Sequence, residues 1–259
     1  MAKTYDRREA GAILLGVAGV LALPSVAAAE ARGRTTYLAA RPEAVSIALE
    51  QTALVVIDMQ NDFGSAGGMF DLAGVDISAI RAVVPNVRRS LDAARAAGLS
   101  VIYLKMAYSA ELRDAGPADG PNRLKQGPLR LGAPTTAPDG TPGRILVRGD
   151  WGTRVIPELA PQPGELEIHK TRYSGFVGTM LDVELKRLGV RNLIVTGCTT
   201  SVCVESTVRD AMFLDYTCVL LEDCMAEPQG AANHAASLEI LARLFAWVSD
   251  SHAFAGALV

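Results

Sequence analysis

The stretch Thr196-Gly197-Cys198-Thr199-Thr200-Ser201-Val202-Cys203-Val204-Glu205-Ser206-Thr207 constrains this chain more than any other. The apolar run Asn192-Leu193-Ile194-Val195 leads into it and reads as a buried strand. Gly197 and the run of small hydroxyl residues break that strand. Val204, Val208, Ala211 and Met212 then recur at helical spacing, so a helix begins near Ser201 or Val202. Cys203 thus falls in the helix's first turn, just past a strand's carboxyl end, where open α/β sheets bind ligands. A helix N-terminus lowers a thiol's pKa through its dipole and free N–H groups. A free cysteine is also often a small buried hydrophobe, so this stretch alone leaves nucleophile and packing residue both open.

Two further stretches narrow the choice. Ala53-Leu54-Val55-Val56-Ile57 is a continuous apolar run that ends at Asp58, within Asp58-Met59-Gln60-Asn61-Asp62-Phe63. Gly164-Glu165-Leu166-Glu167-Ile168-His169-Lys170 alternates like a strand and ends at Lys170, followed by Thr171-Arg172-Tyr173-Ser174-Gly175-Phe176. Each run delivers one ionisable residue to a strand end. If the strands are parallel neighbours, an acid, an amine and a thiol converge.

These three motifs, in this order, resemble the isochorismatase-like cysteine hydrolases, from about Arg41 to Trp247. The resemblance implies a three-layer α/β/α fold with a six-stranded parallel sheet. It also implies a catalytic set of Asp58, Lys170 and Cys203. In that scheme Cys203 is the nucleophile, which attacks as thiolate. Asp58 is the general base that takes the thiol proton and gives it to the leaving amine. Lys170 favours both anions and holds Asp58 in place. The backbone N–H groups of Thr199 and Cys203 are the candidate oxyanion donors. The family places a non-proline cis peptide at Cys198-Thr199. Phe63, Trp151 and Tyr173 are candidates to sandwich a flat substrate, with Asn61 as a polar contact; ordinary packing is their other reading.

The three histidines do not supply a usual cysteine partner. His169 precedes Lys170 on one strand and points to the opposite face, and His234 is expected on a helix far from the motifs. No cluster has metal-ligand spacing. Lys105-Met106-Ala107-Tyr108 offers none of the ligands of the metal-dependent nicotinamidase branch. Several stretches, among them Arg172-Tyr173-Ser174-Gly175-Phe176 and Val202-Cys203-Val204-Glu205-Ser206-Thr207, look like the branch that hydrolyses ureido compounds of ureidoacrylate and biuret type. The resemblance therefore implies an amidohydrolase that cleaves a C–N bond through a Cys thioester and releases ammonia, without cofactor or metal. Two departures bear on substrate: Met106 stands where the ureidoacrylate enzymes carry an amide, and Gln126-Gly127 differ in the lid. A vinyl-ether hydrolase of isochorismatase type and a non-catalytic thiol-bearing binding protein are the alternatives. The expected partners are a small amide or ureide and further copies of the chain in a homo-oligomer.

At 259 residues, 49% of them hydrophobic, the chain can bury one sizeable core. A net charge of −3 and the absence of a basic stripe argue against nucleic-acid binding. Residues 1–29 have the layout of a secretory signal: Arg7-Arg8, an apolar run from Ala10 to Leu23, then Ala27-Ala28-Ala29. The paired arginines resemble a twin-arginine signal, so residues 30–259 form the hydrolase domain; the protein is expected to be exported to the periplasm if the signal is cleaved and cytoplasmic otherwise. The four cysteines are not a disulfide framework. Cys218 and Cys224 lie roughly 20 Å apart along one strand, and Cys198 with Cys224 is the one pair left open.

Coarse periodicity gives strands over Ala53–Asp58, Val101–Leu104, Glu165–Lys170, Asn192–Cys198 and Thr217–Glu222. Pro85 suits the first position of a helix carrying Val84, Val87, Leu91 and Ala94 and closed by Gly98. The Pro- and Gly-rich stretch from Ser109 to Gly143 reads as a structureless lid. A helix over Ala231–Trp247 turns Leu238, Leu241, Leu244, Phe245 and Val248 to the sheet, and a short last strand and helix close the chain.

Overall fold

The computed structural model describes residues 33–259; the proposed signal at 1–29 lies outside them. An antiparallel ribbon of β1 (Thr35–Leu38) and β2 (Val45–Ala48) leads into β3 (Thr52–Ile57). Two single-turn helices, α1 (Asn61–Gly64) and α2 (Met69–Leu72), precede the long α3 (Ser78–Ala97) and β4 (Ser100–Met106). The lid follows, with α4 (Pro121–Gln126) and a small hairpin of β5 (Pro134–Thr136) and β6 (Pro142–Arg144). Then come β7 (Leu166–Lys170), α5 (Leu181–Arg187), β8 (Asn192–Cys198), a π turn over Thr200–Val204 and α6 (Glu205–Phe213). The chain closes with β9 (Thr217–Ala226), α7 (Ala231–Leu244), β10 (Trp247–Ser249) and α8 (Ser251–Ala257).

Six strands form one parallel sheet in the order β10-β9-β8-β3-β4-β7. Alternation along each strand splits the core in two. Leu54 and Val56 pack with Ile80, Val84, Val87, Leu91 and Phe254 on one face. Ala53, Val55 and Ile57 pack with Leu181, Leu185, Val208, Leu238 and Leu241 on the other. A sheet buried on both faces explains why β3 and β8 read as continuous apolar runs, and it is the expected three-layer α/β/α architecture. The chain runs outward from β3 through β4 to β7, then returns to β8 on β3's other side. The order therefore reverses between the carboxyl ends of β3 and β8, where such sheets bind ligands.

Gly197 lets these two strands meet closely. Its φ is 117°, and a Cβ there would run into the Ile57 carbonyl. The ladder between β8 and β9 shifts register across Val195 and Gly197, which re-aims the chain just before Cys198.

Three expectations need correction. Pro85 is not at the start of a helix but inside α3, because the apolar face extends back to buried Ile80 and Val84. Burying two such side chains, at about 1.5–3 kcal/mol each, offsets a proline penalty of about 3 kcal/mol. The lid is not structureless, since it carries α4 and the hairpin. In α7, Leu238 and Leu241 are buried but Leu244 is 60% exposed, and the helix ends there because Trp247 begins β10.

Pro85 is exposed, so replacing it touches only the backbone of α3. Pro85→Ala should stabilise the fold by about 1–2 kcal/mol, the restored helical bond outweighing the added unfolded-state freedom. Urea denaturation read by circular dichroism checks this; a lower midpoint would contradict the helix-interior placement.

Candidate active site

Asp58 follows β3 directly and takes a left-handed backbone, φ 53°. Its N–H still donates to Leu104 O of β4 at 2.9 Å, so the turn is anchored as it leaves the sheet. Its Oδ1 accepts the Met106 N–H at 2.9 Å. Lys170, the last residue of β7, reaches across Met106 to place Nζ 2.7 Å from Asp58 Oδ2, and neither side chain has any exposed surface. That contact is close in distance but off the angles of a regular hydrogen bond, so among the described residues Oδ2 takes no such bond. Nζ also lies 3.4 Å from Arg172 O and 3.8 Å from Met106 Sδ. The thiol of Cys203, 5% exposed, lies within hydrogen-bond reach of both Asp58 and Lys170. Three strand ends thus bring Asp58, Lys170 and Cys203 into one group.

The electrostatics differ from the expected helix-dipole effect. Burial pushes the Cys203 thiol well up; Lys170 opposes this, and Asp58 adds to it. The first-turn dipole does not win because the group has lost its water and faces a carboxylate. For Lys170, burial acts to lower the ammonium's pKa, but Asp58 and Cys203 outweigh it and the net shift is upward. Burial and Asp58 thus favour the neutral thiol, while Asp58 and Cys203 favour the charged lysine.

The turn carrying Cys203 is held by side chains on all sides. The N–H groups of Val202 and Val204 both donate to Thr199 O. The Ser201 N–H donates to Glu227 Oε2 at 2.8 Å, and the Thr207 hydroxyl donates to Cys203 O at 2.7 Å. Thr200 Oγ1 bonds Ala226 O and lies 2.9 Å from His234 Nδ1. His234 is thus not remote from the motifs, as its distance along the chain suggested; it supports the turn that carries Cys203 through Thr200. The Thr199 N–H has no hydrogen-bond partner among the described residues. The peptide Cys198-Thr199 is cis, as the resemblance implied.

A cavity of about 180 Å³ opens above Cys203. Phe63, Met106, Tyr173, Thr199 and Cys203 line it. Asn61 and Trp151, the other two expected substrate contacts, do not. The Asn61 amide is occupied at both ends, donating to Trp151 O at 2.9 Å and accepting from Ser65 Oγ at 2.8 Å. Trp151 lines a separate small cleft with Asp139 and Arg154. All four cysteines are free. Cys198 donates to Asp58 O and Cys224 sits against Ser90, so the pair left open does not form. Among the described residues, no three His, Cys, Asp or Glu side chains converge to hold a metal ion.

The motif around Asp58 holds two residues that sequence reasoning passed over. Gln60 is fully buried; its Oε1 accepts the Met106 N–H at 2.8 Å and its Nε2 donates to Met106 O and Thr153 O. Asp62, 1% exposed, accepts the N–H groups of Met69 and Leu146 and so ties α2 and the lid's return to α1. Burial raises its carboxyl to about 6, against the pull of those two bonds. Two buried polar residues within four positions of Asp58 were the available signal.

The Isochorismatase domain family model matches residues 52–253. The chain belongs to the isochorismatase family. It is 42% identical over 225 residues to a ureidoacrylate amidohydrolase of Acinetobacter baylyi, covering 87% of this chain and 91% of that one. A solved cysteine hydrolase from Pseudomonas syringae superposes with a TM-score of 0.68 at 29% identity, over 82% of this chain and 94% of the other. N-carbamoylsarcosine amidase from Thermoplasma acidophilum superposes with a TM-score of 0.59 at 26% identity, over 78% and 96%.

In this isochorismatase-family domain the buried pair and Asp62 each predict a stability effect. Lys170→Met strands a buried carboxylate and should cost about 3–5 kcal/mol, while Asp58→Asn with Lys170→Met recovers most of it. Denaturant melts of the single and double variants read this, and equal stability of the two would contradict the pairing. Asp62 is held above its unfolded pKa, so its stabilising share is complete below about pH 4 and is lost as pH rises through about 6. The loss amounts to roughly 3 kcal/mol. Asp62→Asn should flatten the fall in melting temperature between pH 4 and 6, and an unchanged slope would locate it elsewhere.

Proposed function

We propose that this chain is a cysteine amidohydrolase of small ureido or carbamoyl amides, acting through Asp58, Lys170 and Cys203. The observation that carries the reading is the meeting of Cys203, Asp58 and Lys170 at the floor of a small cavity, with Lys170 Nζ 2.7 Å from Asp58 Oδ2 and the thiol within reach of both. Relatives named for amide cleavage of ureido and carbamoyl compounds support it.

The chemistry runs in two halves. The thiol proton passes to Asp58 as Sγ attacks the sp² carbonyl carbon. The carbonyl oxygen becomes an oxyanion that the N–H groups of Thr199 and Cys203 receive. The C–N bond then breaks, Asp58 returns the proton to the departing nitrogen, and ammonia leaves an acyl- or carbamoyl-thioester on Cys203. Water, deprotonated by the freed Asp58, adds to that thioester and restores the thiol. Lys170 stays charged throughout and stabilises whichever partner holds the negative charge. A high resting thiol pKa suits this scheme, because the proton moves during attack rather than before it.

The homo-oligomer remains part of this proposal. Phe213 and Leu244, 68% and 60% exposed, are apolar surface that such an assembly would cover.

Ammonia release from a panel of amides and ureides, with isochorismate beside them, tests the function. Cys203→Ala and Asp58→Asn should each lose at least about 10³-fold in kcat with the fold intact, and the double variant should lose little more. Mass spectrometry of Asp58→Asn during turnover should catch an adduct on Cys203. Full activity in Cys203→Ala, or cleavage of isochorismate alone, would refute the thioester route.

A further inference from the structure

The cavity's wall is more selective than its floor. Phe63, Met69, Phe70, Val75, Leu129 and Leu146 form its apolar part, and among the described residues no Lys, Arg, His, Asp or Glu lines it. Lys170, within reach of Cys203, is committed to Asp58. Four arginines of the surrounding segments have other partners. Arg123 donates to Leu112 O, Arg144 to Gly132 O and Ala110 O, and Arg172 to Asp114 O and Thr171 O. Arg148 pairs with Asp114. A carboxylate brought into this cavity would lose its water and meet no counter-charge, which costs several-fold more than a neutral group does.

One buried polar side chain lines the cavity. Gln126, at the end of α4, is 2% exposed and contributes to the lining. A buried amide costs free energy unless it is hydrogen-bonded, so a bound molecule that bonds it is favoured there. An amide both donates and accepts, and it matches an uncharged ureido or carbamoyl group better than an anion.

We infer that this site takes a neutral substrate: a ureido or carbamoyl amide with an uncharged, apolar substituent, held by Gln126 and excluding acids such as ureidoacrylate. The inference rests on the amidohydrolase reading and deepens it. The relatives named for ureidoacrylate would then differ from this chain in the charge their pockets accept, with the reaction unchanged.

Matched substrates separate the two ideas. Ureidoacrylate, its methyl ester and an N-alkylurea of similar length differ chiefly in the carboxylate. The full chain should hydrolyse the ester or the alkylurea with a kcat/KM on the order of a hundredfold above that for the acid. Leu129→Arg, which places a cation on the apolar wall, should reverse the order. Gln126→Met should raise KM for the neutral ureides about tenfold, the effect of one lost hydrogen bond to a buried amide, with its melting temperature unchanged. A parent enzyme that prefers the acid, or a Gln126→Met variant with unaltered KM, would overturn the neutral-substrate inference and leave the reaction class standing. No ammonia from any of the three would overturn both.

Discussion

Asp58 and Lys170 form an ion pair with no exposed surface, 2.7 Å apart. Removing two charges from water costs several kcal/mol each, and only close geometry with further bonds repays it. Here the repayment comes through Met106. Its N–H donates to Asp58 Oδ1, its register partner is Lys170, and its sulfur lies against the ammonium. The pair therefore exists only if β3, β4 and β7 are parallel neighbours in this order. Gln60 tightens the same point by bonding both the N–H and the carbonyl of Met106. A displaced strand would leave two buried charges unpaired, so the pair penalises any other arrangement of this half of the sheet.

The other half of the site is held by neutral groups. Small hydroxyl residues after β8 looked like strand breakers in the sequence, and in the structure each has a separate partner. Thr200 reaches the end of β9 and His234 of α7. Ser201 is held by Glu227. Thr207 bonds Cys203 O and receives the Gly175 N–H from the segment after Lys170. That last bond couples the thiol's helix to the lysine's loop. Cys203 is thus placed from β9, α7 and the segment after β7 at once, which explains a π turn in place of a regular helical start.

Much of this was legible because a parallel sheet buried on both faces leaves a strong signal. β8 matches the expected strand residue for residue, and β3 and β7 differ by a residue at one or both ends. The residues at the strand ends, Asp58 just past β3 and Lys170 closing β7, were legible for the same reason. Other features depended on contacts that no local pattern encodes. His234 lies 34 positions from Thr200, and only the packing of α7 brings them together. Asn61 has the composition of a substrate contact, but its amide is spent on Trp151 O and Ser65. Pro85 reads locally as a helix start, yet the burial of Ile80 carries the helix past it. The lid's Gly and Pro hid short elements whose job is to bring Gln126 and Leu129 over the cavity.

The thiol's environment also bears on how such a site controls its own reactivity. A helix N-terminus alone would favour a standing thiolate, which is open to oxidation and to stray electrophiles. Full burial and the Asp58 carboxylate shift Cys203 the other way, and burial does the same to Cys198, Cys218 and Cys224. The domain therefore holds four free, buried sulfurs whose burial disfavours the thiolate, of which one has both a carboxylate and a cation beside it. Under the amidohydrolase reading, the barrier to forming the thiolate is overcome only when a carbonyl occupies the space near the Thr199 N–H. Negative charge then moves from sulfur to an oxygen that has donors waiting. Reactivity is tied to occupancy, and the apolar wall around Leu129 and Phe63 decides what can occupy.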